Sequence, residues 1–254
     1  MSSEIELVTS TPNEKASWFG LRDLARIMPT GWSLAGGTLV RLHGVERGAR
    51  FPQATTDIDI ILDIRAYPES KTRIGPALSE CGFKVPLPPN PTNQDHRWER
   101  IVEGEPGVKA QIDVLAPSGL GAQTNQQKFP GIGRLLTTRG GQVGIDRSEM
   151  VNVCVDSEFN VTVARPDLVG ALYEKCSAIL NTGDGSKMRH FEDINFLTTL
   201  FERGDRAELQ KLRKKELKRI ASSLRVTINS LAGNVNRRTY QMLDFTEHCL
   251  SQRC

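Results

Sequence analysis

Three aspartates have the spacing to hold a divalent cation. Asp57 and Asp59 open the apolar run Asp57-Ile58-Asp59-Ile60-Ile61-Leu62, and Asp113 lies in Gln111-Ile112-Asp113-Val114. Alternate residues of a β-strand share a face, so Asp57 and Asp59 point the same way, about 7 Å apart at their Cα atoms, while Ile58 and Ile60 enter a core. In the later run Ala110, Ile112 and Val114 share one face and Gln111 and Asp113 the other, which makes that strand central and turns its acid toward something polar. Three carboxylates meeting at one place repel each other unless a cation neutralises them, and hard oxygen ligands select Mg2+ or Mn2+. Two such ions about 4 Å apart support in-line phosphoryl or nucleotidyl transfer.

About twenty residues before the acidic pair, Ala35-Gly36-Gly37-Thr38 joins a short apolar strand (32–35) to a helical stretch (38–43). A glycine turn at a helix N-terminus exposes backbone N–H groups with no Cβ in the way, which suits a phosphate. A plain strand-to-helix turn would look the same, and only the acids that follow favour phosphate. Thr38 is read as a phosphate contact, with helix capping as its other role. Arg41, one turn on, faces either phosphate or solvent. Asp63 shares the nominal face of the pair but sits at the strand end, as a surface acid does. His43, His96, His190 and His248 have no mutual spacing that suggests ligation, and Trp98 is expected to pack on the sheet.

The elements that must position these residues follow from periodicity. Residues 16–28 form a packing helix with Trp18, Leu21, Leu24 and Met28 on one face, stopped by Pro29-Thr30-Gly31. Residues 44–56 read as a loop, and 68–81 as a helix with Ile74, Leu78 and Cys81 inward, kinked or split at Gly75-Pro76. Strands are expected at 97–102 and 109–116 across a turn at 104–107, and a hairpin at 151–155 and 159–164. Residues 86–91 form a stiff proline-rich connector, and 117–133, with four glycines, either a lid over the site or a bland surface loop. From Arg165 onward helices dominate. Pro166 opens one running to about residue 180, Asn181-Thr182-Gly183-Asp184-Gly185 follows, and a second helix covers about 186–203. The fold class is therefore α/β (α+β), a small mixed sheet with flanking helices over residues 1–164 and a helical domain over 165–254.

Composition sets the bounds. Charged residues make up 25% of the 254-residue chain and hydrophobic ones 38%, as in an ordinary soluble globular protein. No apolar run nears the roughly twenty residues of a membrane span, and Met1–Ser10 lacks a basic-then-apolar signal pattern, so a cytoplasmic location is expected. Five scattered cysteines without metal-ligand spacing suit reduced thiols, and zinc is not expected. A net charge of +3 is too mild to indicate a nucleic-acid partner by itself. Its distribution says more, because residues 203–219 hold eight Lys or Arg against three acids. Leu209, Leu212, Leu217, Ile220 and Leu224 keep a helical stripe behind that charge, so the basic face is outward. It is either a solvated helix face or a footprint for an RNA backbone, extended by Arg237-Arg238.

Gly36-Gly37-Thr38, Asp57-Ile58-Asp59 and Gln111-Ile112-Asp113 together resemble the signature of the nucleotidyltransferase superfamily typified by DNA polymerase beta. The resemblance implies that Asp57, Asp59 and Asp113 bind metal, with Asp113 activating the nucleophile directly or through its ion. Arg165-Pro166-Asp167-Leu168 through Lys175 and Ala178, then Arg189-His190-Phe191-Glu192-Asp193-Ile194, resembles the abortive-infection (AbiEii-type) toxin branch, which includes toxins that add nucleotides to tRNA. By that resemblance Lys175 reaches the triphosphate, Asp193 orients Lys175 or the base, and the helical domain closes the nucleotide cleft. The match spans roughly residues 32–197. Gln53 stands where the branch has a basic residue, with Arg50 nearby, and Arg189-His190 replaces its usual Lys-Asp. The function so implied is Mg2+-dependent transfer of a nucleotide from an NTP to an acceptor hydroxyl, foremost the 3′ end of tRNA, by a growth-inhibiting toxin that a cognate antitoxin would restrain. Two other readings stand: nucleotidylation of a protein or a small molecule such as an antibiotic, and a non-catalytic RNA- or protein-binding module.

Overall fold

The computed structural model describes residues 4–50, 53, 55–86, 96–120, 135–179 and 184–253. The expected connector at 86–91, the lid or loop at 117–133 and the break at 181–185 lie mainly outside the described residues. The structure is mixed α/β, as the sequence pattern predicts.

The central sheet has the order β2-β3-β5-β4, from β2 (Trp32–Ala35), β3 (Ile58–Leu62), β4 (Arg97–Ile101) and β5 (Lys109–Pro117), with β6 (Leu136–Thr138) paired to the last residues of β5. β3 runs antiparallel to β2 and parallel to β5, and β4 is antiparallel to β5. β5 is central, as the apolar residues around Asp113 predict. Ile58, Ile60, Ala110, Ile112 and Val114 are all buried in the first core. The helix α1 (Pro12–Ile27) covers that face with Trp18, Leu21 and Leu24, and Met28 follows it into the core. It starts before residue 16 because the Thr11 side chain accepts from Glu14 N and Pro12 suits the first turn. The helix α3 (Ser70–Glu80) keeps Pro76 inside one continuous element.

A second sheet has the order β1-β7-β8, from β1 (Ile5–Leu7), β7 (Ser148–Val155) and β8 (Phe159–Pro166). The expected hairpin is there, turned by Asp156 and Ser157 at positive φ, but the N-terminal strand that pairs with it was not legible in three residues. Pro166 does not open a helix. It ends β8 opposite Ser148, and the next helix α5 (Leu168–Ala178) is capped by Asp167, whose Oδ1 accepts from Gly170 N at 2.7 Å. Between the sheets lie α2 (Gly36–Glu46), which runs further into the expected loop, and the short α4 (Gly141–Ile145).

The remaining helices are α6 (Asp184–Leu200), α7 (Arg203–Gln210), α8 (Lys214–Leu231) and α9 (Arg237–Ser251). The basic segment expected as one helix is two. The break follows from the five-residue step between Leu212 and Leu217, which departs from helical period, and from a new cap in which Glu216 Oε2 accepts from Arg213 N at 2.8 Å. The apolar stripe survives the break: Leu209, Leu212, Leu217, Ile220 and Leu224 are buried in a second core with Leu168, Leu172, Ile194 and Leu197. Leu39 and Val40 of α2 enter that second core while Leu42 enters the first, so α2 bridges the two. Among the described residues no helix is long and apolar enough to cross a membrane.

Candidate functional site

Strand register brings the acids together. Asp59 of β3 is the direct partner of Asp113 on parallel β5, so two carboxylates from adjacent strands stand side by side on one face. Asp57 precedes β3 by one residue. One oxygen from each of Asp57, Asp59 and Asp113 lies within 4.8 Å of the other two. Ser17 on α1 helps to fix this register: its hydroxyl donates to the Thr56 carbonyl at 2.7 Å and accepts from Gln111 N at 2.9 Å. Thr55 Oγ1 lies 3.1 Å from Asp57 Oδ1, and Thr38 Oγ1 donates to the Asp57 carbonyl at 3.0 Å. Thr38, buried, thus holds the start of β3; the α2 N-cap is Ala35.

The glycine turn has a steric cause visible at the site. Gly36 has φ +66°, and a Cβ there would fall 1.7 Å from Asp59 Oδ2, so only glycine lets this carboxyl sit at the N-terminus of α2. A Cβ on Gly37 would fall 2.6 Å from an Arg189 guanidinium nitrogen. Arg189 therefore reaches from α6 across the turn. Arg41 points elsewhere, pairing with Glu14 and the Val8 carbonyl, and Asp63 Oδ1 accepts from Ala66 N at 3.1 Å in a surface turn.

Charge is unbalanced here. Burial, followed by the charges of Asp113 and Asp57, pushes the Asp59 carboxyl up to about 7 against the opposing pull of Lys175 and Arg189. Asp113 is held by Arg97, its partner across β4, with Nε 3.2 Å from Oδ1 and Nη2 3.0 Å from Oδ2. Gln111, in the amide orientation that satisfies both groups, accepts from Arg97 Nε at 3.1 Å. Lys175 of α5 and Asp193 of α6 form a buried ion pair, Nζ to Oδ2 2.6 Å, and Asp193 Oδ1 has no hydrogen-bond partner among the described residues. The helical half thus presents its lysine toward the acids with a carboxylate behind it.

A cavity of about 290 Å3 joins the two halves: Asp59, Asp113 and Gly36 line it from the sheet, and Glu174, Lys175 and His190 from the helices. His96 lines it too, 4.0 Å from Asp113 Oδ2. Sequence spacing left all four histidines as ordinary, yet the fold brings His96 and His190 to this place. Burial lowers His190 to about 4, which keeps its ring neutral. His43 lies away from the acids, buried, with Nε2 3.0 Å from the Pro166 carbonyl. Arg97, Thr55, Ser17 and Glu174 carried no sequence signal; only Gln111-Ile112-Asp113 beside a predicted antiparallel strand could have pointed to a partner such as Arg97. Gln53 bonds Glu192, and Trp98 is buried on the sheet.

The donor set fits a hard divalent ion. It offers three carboxylates, Asp113 buried and Asp57 and Asp59 half-buried, with Asp59 pushed up by burial and then by its neighbours' negative charge, and it includes no thiolate or imidazole. Arg97 is the cation that balances Asp113 here, and its side chain is 47% exposed, so solvent can receive it if an ion takes its place. A scan against protein-family models gives no match, and no curated protein matches the chain significantly.

Proposed function

We propose that the protein is a metal-dependent nucleotidyltransferase that moves a nucleotide from an NTP to an acceptor hydroxyl and releases pyrophosphate. The observation that carries this reading is the convergence of Asp57, Asp59 and Asp113 within 4.8 Å, in a place whose cavity also receives Lys175 from the opposite half. Asp57, Asp59 and Asp113 would hold Mg2+ or Mn2+, which supplies Lewis acidity at the reacting phosphate. Lys175, aimed by Asp193, binds the triphosphate as a point charge. The N-terminus of α2 at Gly36 and Gly37 and the Arg189 guanidinium add positive potential on the other side of Asp59. Asp113 receives the proton of the attacking hydroxyl as the O–P bond forms.

The acceptor we favour is the 3′ end of tRNA, which makes the protein a growth-inhibiting toxin paired with an antitoxin. Support comes from α8, where Lys215, Lys218 and Arg219 line one groove with Ser222 and Ser223. Ser223 Oγ donates to the Cys176 carbonyl at 2.7 Å, which fastens this groove to the helix that carries Lys175. The test is incubation with each labelled NTP, Mg2+ and total RNA. Label in tRNA is expected, and label in protein or in a small molecule would replace the acceptor but keep the chemistry. Asp59→Asn is expected to abolish transfer while leaving the fold intact; wild-type turnover by that variant would remove the metal role of the three aspartates, and no Mg2+-dependent transfer to any acceptor would overturn the enzyme reading.

A further inference from the structure

The strand beside the acids carries a fitted cation. Alternation along β4 sends Trp98 into the core and leaves Arg97 and Glu99 on the other face. Register sets Arg97 directly opposite Asp113, while Glu99 pairs with Lys109 at 2.6 Å. The guanidinium meets Asp113 side-on, with Nε 3.2 Å from one carboxylate oxygen and Nη2 3.0 Å from the other. Gln111, on the same face of β5, accepts from both nitrogens at 3.1 and 3.2 Å in the amide orientation that satisfies the two groups. Arg97 is therefore seated on Asp113 and held there by a neighbour.

The two members of this pair are not equally fixed. Asp113 stands on a central strand with its side chain 7% exposed, whereas Arg97 stands on the edge strand with its side chain 47% exposed. Rotation about the arginine's own side-chain bonds releases it to water, and no strand has to move. Both oxygens that the fork takes belong to a carboxylate that the triad offers to an ion. An ion about 2.1 Å from either oxygen would stand about 5 Å or less from the guanidinium, so two positive charges would share one nearly buried carboxylate. Repulsion at that distance favours a single occupant. The other nearby cations are placed differently: Lys175 is committed to Asp193 at 2.6 Å, and Arg189 lies across the turn at Gly37.

We infer that Arg97 is a built-in counter-cation that a divalent ion must displace from Asp113, and that it thereby sets the ion concentration at which the site loads. The inference rests on the metal role proposed for the three aspartates. It gives one side chain two opposed effects, since the fork relieves repulsion among Asp57, Asp59 and Asp113 and also weakens their hold on the ion.

The experiment is Mn2+ binding without nucleotide, read on the full chain from the free-ion EPR signal in wild type, Arg97→Met, Arg97→Lys and Asp59→Asn. Asp59→Asn locates the site and should lose most of the binding. Arg97→Met keeps the stem and removes the fork, and its Mn2+ affinity should rise about tenfold or more, because the ion no longer has to wait for the fraction of molecules whose guanidinium has swung out. Arg97→Lys keeps a charge but cannot span both oxygens, so its affinity should fall between the two. In EDTA, Arg97→Met should melt below wild type, and saturating Mn2+ should close the gap. A merely structural pair would lower the melting temperature without tightening Mn2+, which would overturn the inference. Displacement itself is read from the Nε–H NMR signal of Arg97, assigned by its absence in Arg97→Lys. That proton should be protected from exchange in EDTA and lose its protection at saturating Mg2+; protection that persists would mean that arginine and ion share Asp113, and would also overturn the inference. The lysine variant and the NMR signal decide the matter even where Arg97→Met does not fold without an ion. Mn2+ binding that is missing in wild type, or untouched by Asp59→Asn, overturns this inference and the metal role together; equal affinity in wild type and Arg97→Met overturns this inference alone. Neither readout uses a nucleotide, so absence of transfer in the labelled-NTP test is a separate result.

Discussion

Asp59 carries an electrostatic cost in the fold, its carboxyl pushed up to about 7 by burial and by Asp113 and Asp57. A folded pKa raised above the unfolded value means the native state holds the proton more tightly. The associated stability is present at low pH and is lost as pH rises from about 4 through about 7. In EDTA, the melting temperature of wild type minus that of Asp59→Asn should therefore fall by roughly 5–10 °C between pH 4.5 and pH 8. Taking the difference removes His43 and His190, whose lowered pKa values act in both proteins and in the opposite direction. Mg2+ at pH 8 should restore most of the loss in wild type and none in the variant. A flat difference curve would mean that Asp59 is not the titrating group.

The Lys175–Asp193 pair is a different kind of residue-scale commitment. Both groups are buried and 2.6 Å apart, so removing one leaves the other charged and unsolvated. Asp193→Asn should cost about 3–5 kcal/mol in denaturant unfolding, with a large fall in activity because Lys175 loses its aim. Lys175→Met with Asp193→Leu should regain stability but not activity. That split separates a functional pair from a packing device, since a purely structural pair would leave the double variant active.

At the scale of elements, α8 divides its cations by task. Arg213 pairs with Glu216 and Arg225 with Glu247, and on the preceding segment Lys211 pairs with Glu208. Lys215, Lys218 and Arg219 instead share one groove, three and four residues apart on one face. Replacing these three by glutamate should leave the melting temperature within about 2 °C, because surface charges contribute little to stability. RNA affinity should fall steeply, and the slope of log affinity against log salt should shrink by roughly 2, as expected for three lost phosphate contacts to a single strand. Filter binding across a salt series measures this, and an unchanged slope would remove α8 as the RNA footprint.

At the scale of the molecule, the two cores are joined through α2, whose Leu42 serves one and whose Leu39 and Val40 serve the other. The junction is also charged. Arg165, buried at the end of β8, pairs with Glu46 of α2 and Glu149 of β7, and Arg147 pairs with Asp167, the cap of α5. A chain ending at residue 164 would expose Leu39 and Val40 and leave Glu46 without its arginine. Such a truncation should bind a hydrophobic dye and melt without the single cooperative transition expected of the full chain in calorimetry. An independently cooperative fragment would show that the halves are separable units.

The carboxylate face of β3, the core face of β5, the packing face of α1 and the apolar stripe through Leu224 were legible in the sequence, because a period of two or of 3.6 fixes which side chains share a face whatever surrounds them. The same local reasoning placed the helix start at Pro166 wrongly, since the competition between Pro166 and the Asp167 cap depends on where β8 stops pairing with β7. Register between strands is not a local property. Only the tertiary structure decided that Asp59 stands opposite Asp113, that Arg97 falls beside Asp113 across β4, and that Asp59 occupies the space a side chain on Gly36 would need. Glu174 and His190 lie on helices with no pattern to mark them, and become partners of one cavity through the packing of α5 and α6 against the sheet. The sequence by itself determined the chemical types and faces; the fold alone determined which of them meet, because meeting depends on contacts between residues far apart in the chain.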